Sequence, residues 1–180
     1  MIWLHQNFSN TLFDMLMPFI TNKNNWIIPI STLLIILGFL SEKKGKIALA
    51  LLIISLSLTD SICAQILKPF FERLRPSHLS LEQLNLLVSK GGKWSMPSNH
   101  AANMFSLAIT LSYFYSRYKT FLILLAIIIS FSRVYVGVHF PSDVIVGGFI
   151  GYFISSLCLI LWGNVKLNEI KKGRDWVLFK

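Results

Sequence analysis

Three short stretches of this sequence hold residue types whose spacing could do chemistry. The first is Lys68-x6-Arg75-Pro76, two cations seven residues apart. On a continuous helix they would share a face about 10 Å apart along the axis, and Pro69 and Pro76 could bend them onto one anion. The second is Pro97-Ser98-Asn99-His100, directly before an apolar run. Backbone N–H groups and a Ser hydroxyl at a helix start form an anion site, and a His there could protonate whatever the anion is bonded to. The third is Ser132-Arg133-x5-His139-x3-Asp143. Asp143 follows His139 by one helical turn, where it could accept the ring N–H, fix the tautomer and make the other nitrogen a better nucleophile. Each stretch has a plainer reading: Lys and Arg as interfacial anchors, a His at a helix start as a structural group, His-x3-Asp as a cap. Together, three cations, two histidines, a carboxylate and a helix-start Ser describe a phosphoryl-transfer site in which positive charge does what a metal otherwise would.

The elements that must position these residues are written in the apolar pattern. The chain is 54% hydrophobic and only 14% charged, against about a quarter charged in soluble domains. Five apolar runs stand out: Trp26–Leu40, Ile47–Leu67, Ala101–Ser116, Thr120–Phe140 and Val144–Gly163. None alternates as a strand would, so the expected fold is all-α, a single polytopic membrane bundle of five spans over residues 1–180. The first and third runs are short and must borrow flanking residues. Ahead of them Leu4, Phe8, Leu12, Leu16 and Phe19 recur at helical spacing, which predicts an amphipathic helix over residues 1–22 lying in the interface. The alternative is a sixth, weakly apolar span. The first ten residues carry no basic stretch leading into an apolar run, so no signal peptide is expected.

Loop charge sets the orientation. Alternating the five spans places ten basic residues on one side: Lys43, Lys44, Lys46, Arg117, Lys119, Lys166, Lys171, Lys172, Arg174 and Lys180. Seven fall on the other: Lys23, Lys68, Arg73, Arg75, Lys90, Lys93 and Arg133. The positive-inside trend assigns the first set, with a tail over residues 166–180, to the cytoplasm. All three chemical stretches then lie on the outer face, two of them bounding a long loop over residues 68–99. Within that loop Ser80 and Gln83 fit a capping box, and Leu81, Leu84, Leu87 and Val88 an apolar stripe, which predicts a short interfacial helix. The net charge of +9 follows this topology and makes no basic groove, so no nucleic-acid partner is expected. Cys63 and Cys158 fall inside apolar runs toward opposite faces and should be free thiols. With four scattered His they form no metal-ligand cluster, and neither metal nor cofactor is expected.

The three stretches, in this order and at these internal spacings, resemble the signature of the type-2 phosphatidic acid phosphatase family, K-x6-RP, PSGH and SR-x5-H-x3-D. The resemblance runs from Lys68 to Asp143, and the membrane pattern extends it along most of the chain. It implies that His139 attacks phosphorus and carries a phosphohistidine, that Asp143 orients and charge-stabilises His139, and that His100 protonates the leaving oxygen. It further implies that Lys68, Arg75, Arg133, Ser98 and the amides near Asn99 hold the phosphate oxygens. One departure is Asn99 in place of Gly; Asn tolerates positive φ, so the loop should keep its shape.

The expected activity is hydrolysis of a lipid phosphate or diphosphate at the outer face of a bacterial inner membrane. Candidate substrates are lipid A 1-phosphate, undecaprenyl diphosphate, phosphatidylglycerol phosphate and phosphatidic acid, with the membrane as partner and no obligatory protein partner evident. A lipid-to-lipid phosphotransferase and a non-catalytic lipid-phosphate binding or transport protein are the alternatives; binding alone would need the cations but no oriented His139–Asp143 pair. Outside the signature, Asp60 lies within the second span and is expected to pair with a site cation such as Arg133 or with nearby Ser and Thr hydroxyls. Gly147, Gly148 and Gly151 read as a helix-packing seam.

Overall fold

A computed structural model of the chain describes residues 7, 9–79 and 84–178. Among these the architecture is all-helical, and the only extended pairing is an isolated bridge between Leu74 and Trp94. Among the described residues four helices are long and apolar enough to cross a membrane.

Helix α1 (Thr11–Thr21) starts where the Asn10 side chain accepts from the Phe13 N–H, and Asp14 occupies its first turn. At 11 residues it is about 16 Å long, too short to span. Leu12, Leu16 and Phe19 are exposed, as the apolar stripe requires, while Leu4 and Phe8 lie outside the described residues. The opposite face packs on the later helix Lys119–Tyr135: Met17 joins Tyr135, Val136 and Val138 in one core cluster. A tight turn, Lys23–Trp26, leads into α2 (Ile27–Ile35), which continues through Ile36–Leu40 in a wider coil. The first run does borrow its flank, reaching back to Lys23.

Helix α3 runs from Lys43 through Phe71, with Ile62–Leu67 in π geometry. That wider turn precedes Pro69, which offers no N–H to the preceding turn. Glu72 ends the helix in the left-handed region at φ 46°, so the chain reverses before Arg75. Helix α4 (Asn99–Phe114) is 16 residues long and sits at the centre, against α3, α5 and α6. Helix α5 covers Lys119–Tyr135, and α6 is the longest, Pro141–Lys171. The last residues fold back on the bundle: Val177 is fully buried with Ala48, Phe114 and Trp162.

The glycine seam sets the distance between α4 and α6. A methyl on Gly147 would stand 2.5 Å from the Ser98 carbonyl oxygen, and one on Gly151 would overlap the Ala102 carbonyl oxygen. Only hydrogen at these positions lets the two backbones touch. Ser55 and Thr110 join α3 to α4 through their hydroxyls at 3.1 Å. Both cysteines are free and buried.

The expected interfacial helix in the long loop does not form in its described part. Ser80–Gln83 lie outside the described residues, and Leu84–Val88 are not helical. Leu86, Leu87 and Val88 pack instead on the α5–α6 connection, where the Leu87 N–H donates to the Val136 carbonyl at 3.4 Å. Leu87 and Val88, at the described end of that stripe, are thus satisfied by tertiary burial without a helix. Gly137, at φ 86°, takes the turn beneath it, with the Asn85 carbonyl 3.3 Å from where a Cβ would be.

Candidate active site

The C-terminal ends of α3 and α5 and the N-terminal ends of α4 and α6 share one end of the bundle, and the three chemical stretches meet there. His139 sits in the connection before α6 and is 1% exposed. Its Nδ1 faces Asp143 Oδ2 at 3.4 Å. Pro141 opens α6, and the Phe140 N–H donates to the same Asp143 oxygen at 2.8 Å. Asp143 therefore caps its own helix and orients the imidazole. With Nδ1–H directed at the carboxylate, Nε2 keeps the free lone pair. Burial first, and then the charges of Arg75, Arg133 and Lys68, pull the His139 pKa down to about 4 against the opposing pull of Asp143. The ring is neutral at physiological pH, which is what a nitrogen nucleophile requires.

Asp143 itself is fully buried and held from a third direction by a residue outside the signature. Arg73 donates from one guanidinium nitrogen to Asp143 Oδ1 at 3.0 Å and to Ser142 Oγ at 2.7 Å. Its guanidinium also lies 4.0 Å from the Phe140 ring centre. The sequence signal was present only as a basic residue on the unexpected side of the membrane; its partner is seventy positions away and no local pattern names it.

Lys68 and Arg75 hold the loop, and together with Arg133 they lie within electrostatic reach of His139. Lys68 Nζ donates to the carbonyls of Pro97 at 2.8 Å and Trp94 at 3.2 Å. Arg75 Nε donates to the Trp94 carbonyl at 3.2 Å. Gly91, at φ 72°, lets the chain pass Arg75: a Cβ there would stand 2.9 Å from a guanidinium nitrogen. The convergence of Lys68 and Arg75 comes from the reversal at Glu72 and not from a shared helix face. Arg133 leaves the last turn of α5 and donates to the Thr21 hydroxyl, so the end of α1 positions a site cation. His100 lies within electrostatic reach of Arg133, His139, Arg75 and Lys68.

Ser98 caps α4: its Oγ accepts from the Ala101 N–H at 3.5 Å, while its own N–H donates to the Asp143 carbonyl at 3.0 Å. That second bond locks the Ser98–His100 turn to the start of α6. Asn99 is the first residue of α4 and does not adopt positive φ, so its tolerance of that region is not called on. The Asn99 side-chain amide donates to Asp60 Oδ1 at 2.8 Å. Asn103 donates to the same oxygen at 2.9 Å. Asp60 accordingly binds neither Arg133 nor a hydroxyl among the described residues. Two amides one turn apart on α4 reach it first.

Fold and site define a helical membrane phosphatase, a class confirmed by comparison: the chain belongs to the PAP2 superfamily, which it matches over residues 46–166. It is 35% identical over 150 residues to the lipid A 4'-phosphatase of Bacteroides thetaiotaomicron, covering 78% of this chain and 66% of that protein. It thus spans about two thirds of that relative's length. Among solved structures it is similar to Aquifex aeolicus LpxE, with TM-score 0.71, 30% identity, and 88% and 92% of the two chains covered. It shares the fold of a transmembrane PAP2 phosphatidylglycerolphosphate phosphatase from Bacillus subtilis, with TM-score 0.62, 23% identity, and 87% and 80% covered.

Proposed function

We propose that this protein hydrolyses a lipid phosphate without a metal, through a phosphohistidine on His139, at the periplasmic face of a bacterial inner membrane. The observation that carries the reading is the buried His139–Asp143 pair at 3.4 Å among three cations. Lys68, Arg75 and Arg133 with the Ser98 hydroxyl and the amides at the start of α4 bind the phosphate oxygens, where charge builds as the ester bond loosens. His139 Nε2 attacks phosphorus and the bond to the lipid oxygen breaks. His100 gives that oxygen its proton; a phosphate dianion held beside His100 favours the protonated ring by opposite charge. Water then attacks the phosphohistidine, His100 takes its proton, and inorganic phosphate leaves with His139 restored.

The orientation rests on charge: Lys43, Lys44, Lys46, Arg117 and Lys119 lie at the bundle end opposite the site. A substrate carrying a phosphate monoester on a glycolipid fits best with the lipid A 4'-phosphatase relative. The alternatives, undecaprenyl diphosphate, phosphatidylglycerol phosphate and phosphatidic acid, are arms of the same assay. The test is phosphate release by detergent-solubilised protein in the presence of EDTA. Activity is expected to survive chelation and to be lost in His139→Ala and His100→Ala. Full activity in His139→Ala, or loss of activity on chelation, would overturn the proposal. Transfer of the phosphoryl group to added acceptor lipid in place of water would identify a phosphotransferase.

A further inference from the structure

Beside the phosphate site a cavity of about 430 Å³ opens along α4. His100 is on its wall at one end and Leu111 at the other, which is about 16 Å of helix. Between them Met104 and Leu107 of α4, Leu33 of α2 and Leu125 of α5 make the lining apolar. Since His100 protonates the leaving oxygen, whatever is esterified to phosphate begins at this end. A chain on the leaving group has the length of the cavity to occupy.

The polar end is built differently from the rest. Asp60, Asn99 and Asn103 all line it. Both amide nitrogens donate to Asp60 Oδ1. Their carbonyl oxygens, Asn99 Oδ1 and Asn103 Oδ1, are buried and have no hydrogen-bond partner among the described residues. A buried acceptor without a donor is destabilising, and two together beside a carboxylate call for a ligand that donates. Asp60 takes one N–H from each amide and so fixes both side chains, which leaves the two unpaired carbonyl oxygens and a second N–H on each amide for a ligand.

Resting on the reading above, we propose that Asp60, Asn99 and Asn103 form a leaving-group subsite selecting a lipid alcohol with hydroxyl or amide N–H donors next to the scissile oxygen. An N-acylated, phosphorylated amino-sugar lipid has those donors and an acyl chain for the cavity. The diacylglycerol released from phosphatidic acid offers only ester acceptors. A polyprenyl diphosphate would bring a second anion toward the Asp60 carboxylate, where like charge disfavours it. The Asn in place of Gly at position 99 thus supplies half of the amide pair that sets this preference.

The experiment measures kcat/KM for three probes: a monophosphorylated N-acylglucosamine lipid, phosphatidic acid and a polyprenyl diphosphate. In the wild-type protein the glycolipid is the preferred substrate. Asp60→Asn is expected to lower the ratio of glycolipid to phosphatidic acid kcat/KM about tenfold or more and to raise that of diphosphate to phosphatidic acid. Asn103→Leu, which keeps Asp60 and removes one acceptor, should lower the first ratio alone and serves if Asp60→Asn does not fold. Ratios within threefold of wild type, through equal losses on all probes or none, would overturn the subsite. Failure of the wild-type protein to release phosphate from any probe would instead overturn the phosphatase reading.

Discussion

Replacing Arg73 with alanine removes one hydrogen bond from Asp143, the carboxylate beside the proposed nucleophile His139, together with a bond to Ser142 and a contact with the Phe140 ring. Asp143 is wholly buried and has three partners: Arg73 at 3.0 Å, the Phe140 N–H at 2.8 Å and His139 Nδ1 at 3.4 Å. Without Arg73 the carboxylate keeps the tight bond to Phe140 and the longer one to His139, and loses its closest full charge. A hydrogen bond to a charged group contributes about 1.5–3 kcal/mol. The Arg73 side chain is 36% exposed, so solvent screening puts the expected loss at the low end, about 1.5 kcal/mol. If that loss falls on the transition state, kcat drops about tenfold. Arg73→Lys should recover only part of it: both hydrogen bonds come from one guanidinium nitrogen, which an ammonium can replace, but the planar contact with the Phe140 ring is lost. Removing a cation near the imidazole also favours its protonated form, so the acid limb of the pH profile should move to higher pH. Initial rates of phosphate release across pH, with thermal unfolding in detergent as a control on folding, test this. An Arg73→Ala protein with kcat within twofold of wild type, or one that loses only thermal stability and keeps its pH profile, would refute the reasoning.

Three other outcomes follow from the same geometry. Thr21→Val strips Arg133 of its hydroxyl partner, and KM for the lipid phosphate should rise about fivefold, equivalent to about 1 kcal/mol, with kcat changed less. The neutral His139 required for attack persists while pH stays above its lowered pKa of about 4; kcat/KM for wild-type protein should therefore hold through pH 5 and fall as pH drops through about 4, which a pH–rate profile reads directly. Gly151→Val forces a side chain into the Ala102 carbonyl and should lower stability in detergent by about 1–3 kcal/mol, whereas Gly163→Ala, with nothing within 4 Å of the new methyl, should leave the unfolding temperature unchanged or raise it.

What the sequence made legible is local. Apolar runs located the helices because lipid-facing surface is uniform in composition, and the spacing His139-x3-Asp143 spoke for itself because one helical turn is a fixed distance. Boundaries moved in both directions: α3 runs on to Phe71 and α6 to Lys171, since residues beyond an apolar run continue a helix whose backbone bonds are already in place, whereas α5 stops at Tyr135, before its run ends. The partners found only in three dimensions are those joining distant elements. Arg73 to Asp143, Arg133 to Thr21, and Asp60 to Asn99 and Asn103 each cross between helices or loops. Leu84–Val88 misled for the same reason: helical spacing of leucines was satisfied by burial against Val136 and Val138 without a helix. Asn99 was read for its tolerance of positive φ, which the structure does not call on; its side chain, bonded to Asp60, is what it contributes.

The central claim is that phosphate passes through His139. Turning the protein over on a radiolabelled lipid phosphate, quenching in alkali and mapping the label by mass spectrometry tests it most directly. The account predicts label on His139, absent from His139→Ala. Continued release of phosphate with no label on His139, or with the label on another residue, would contradict it.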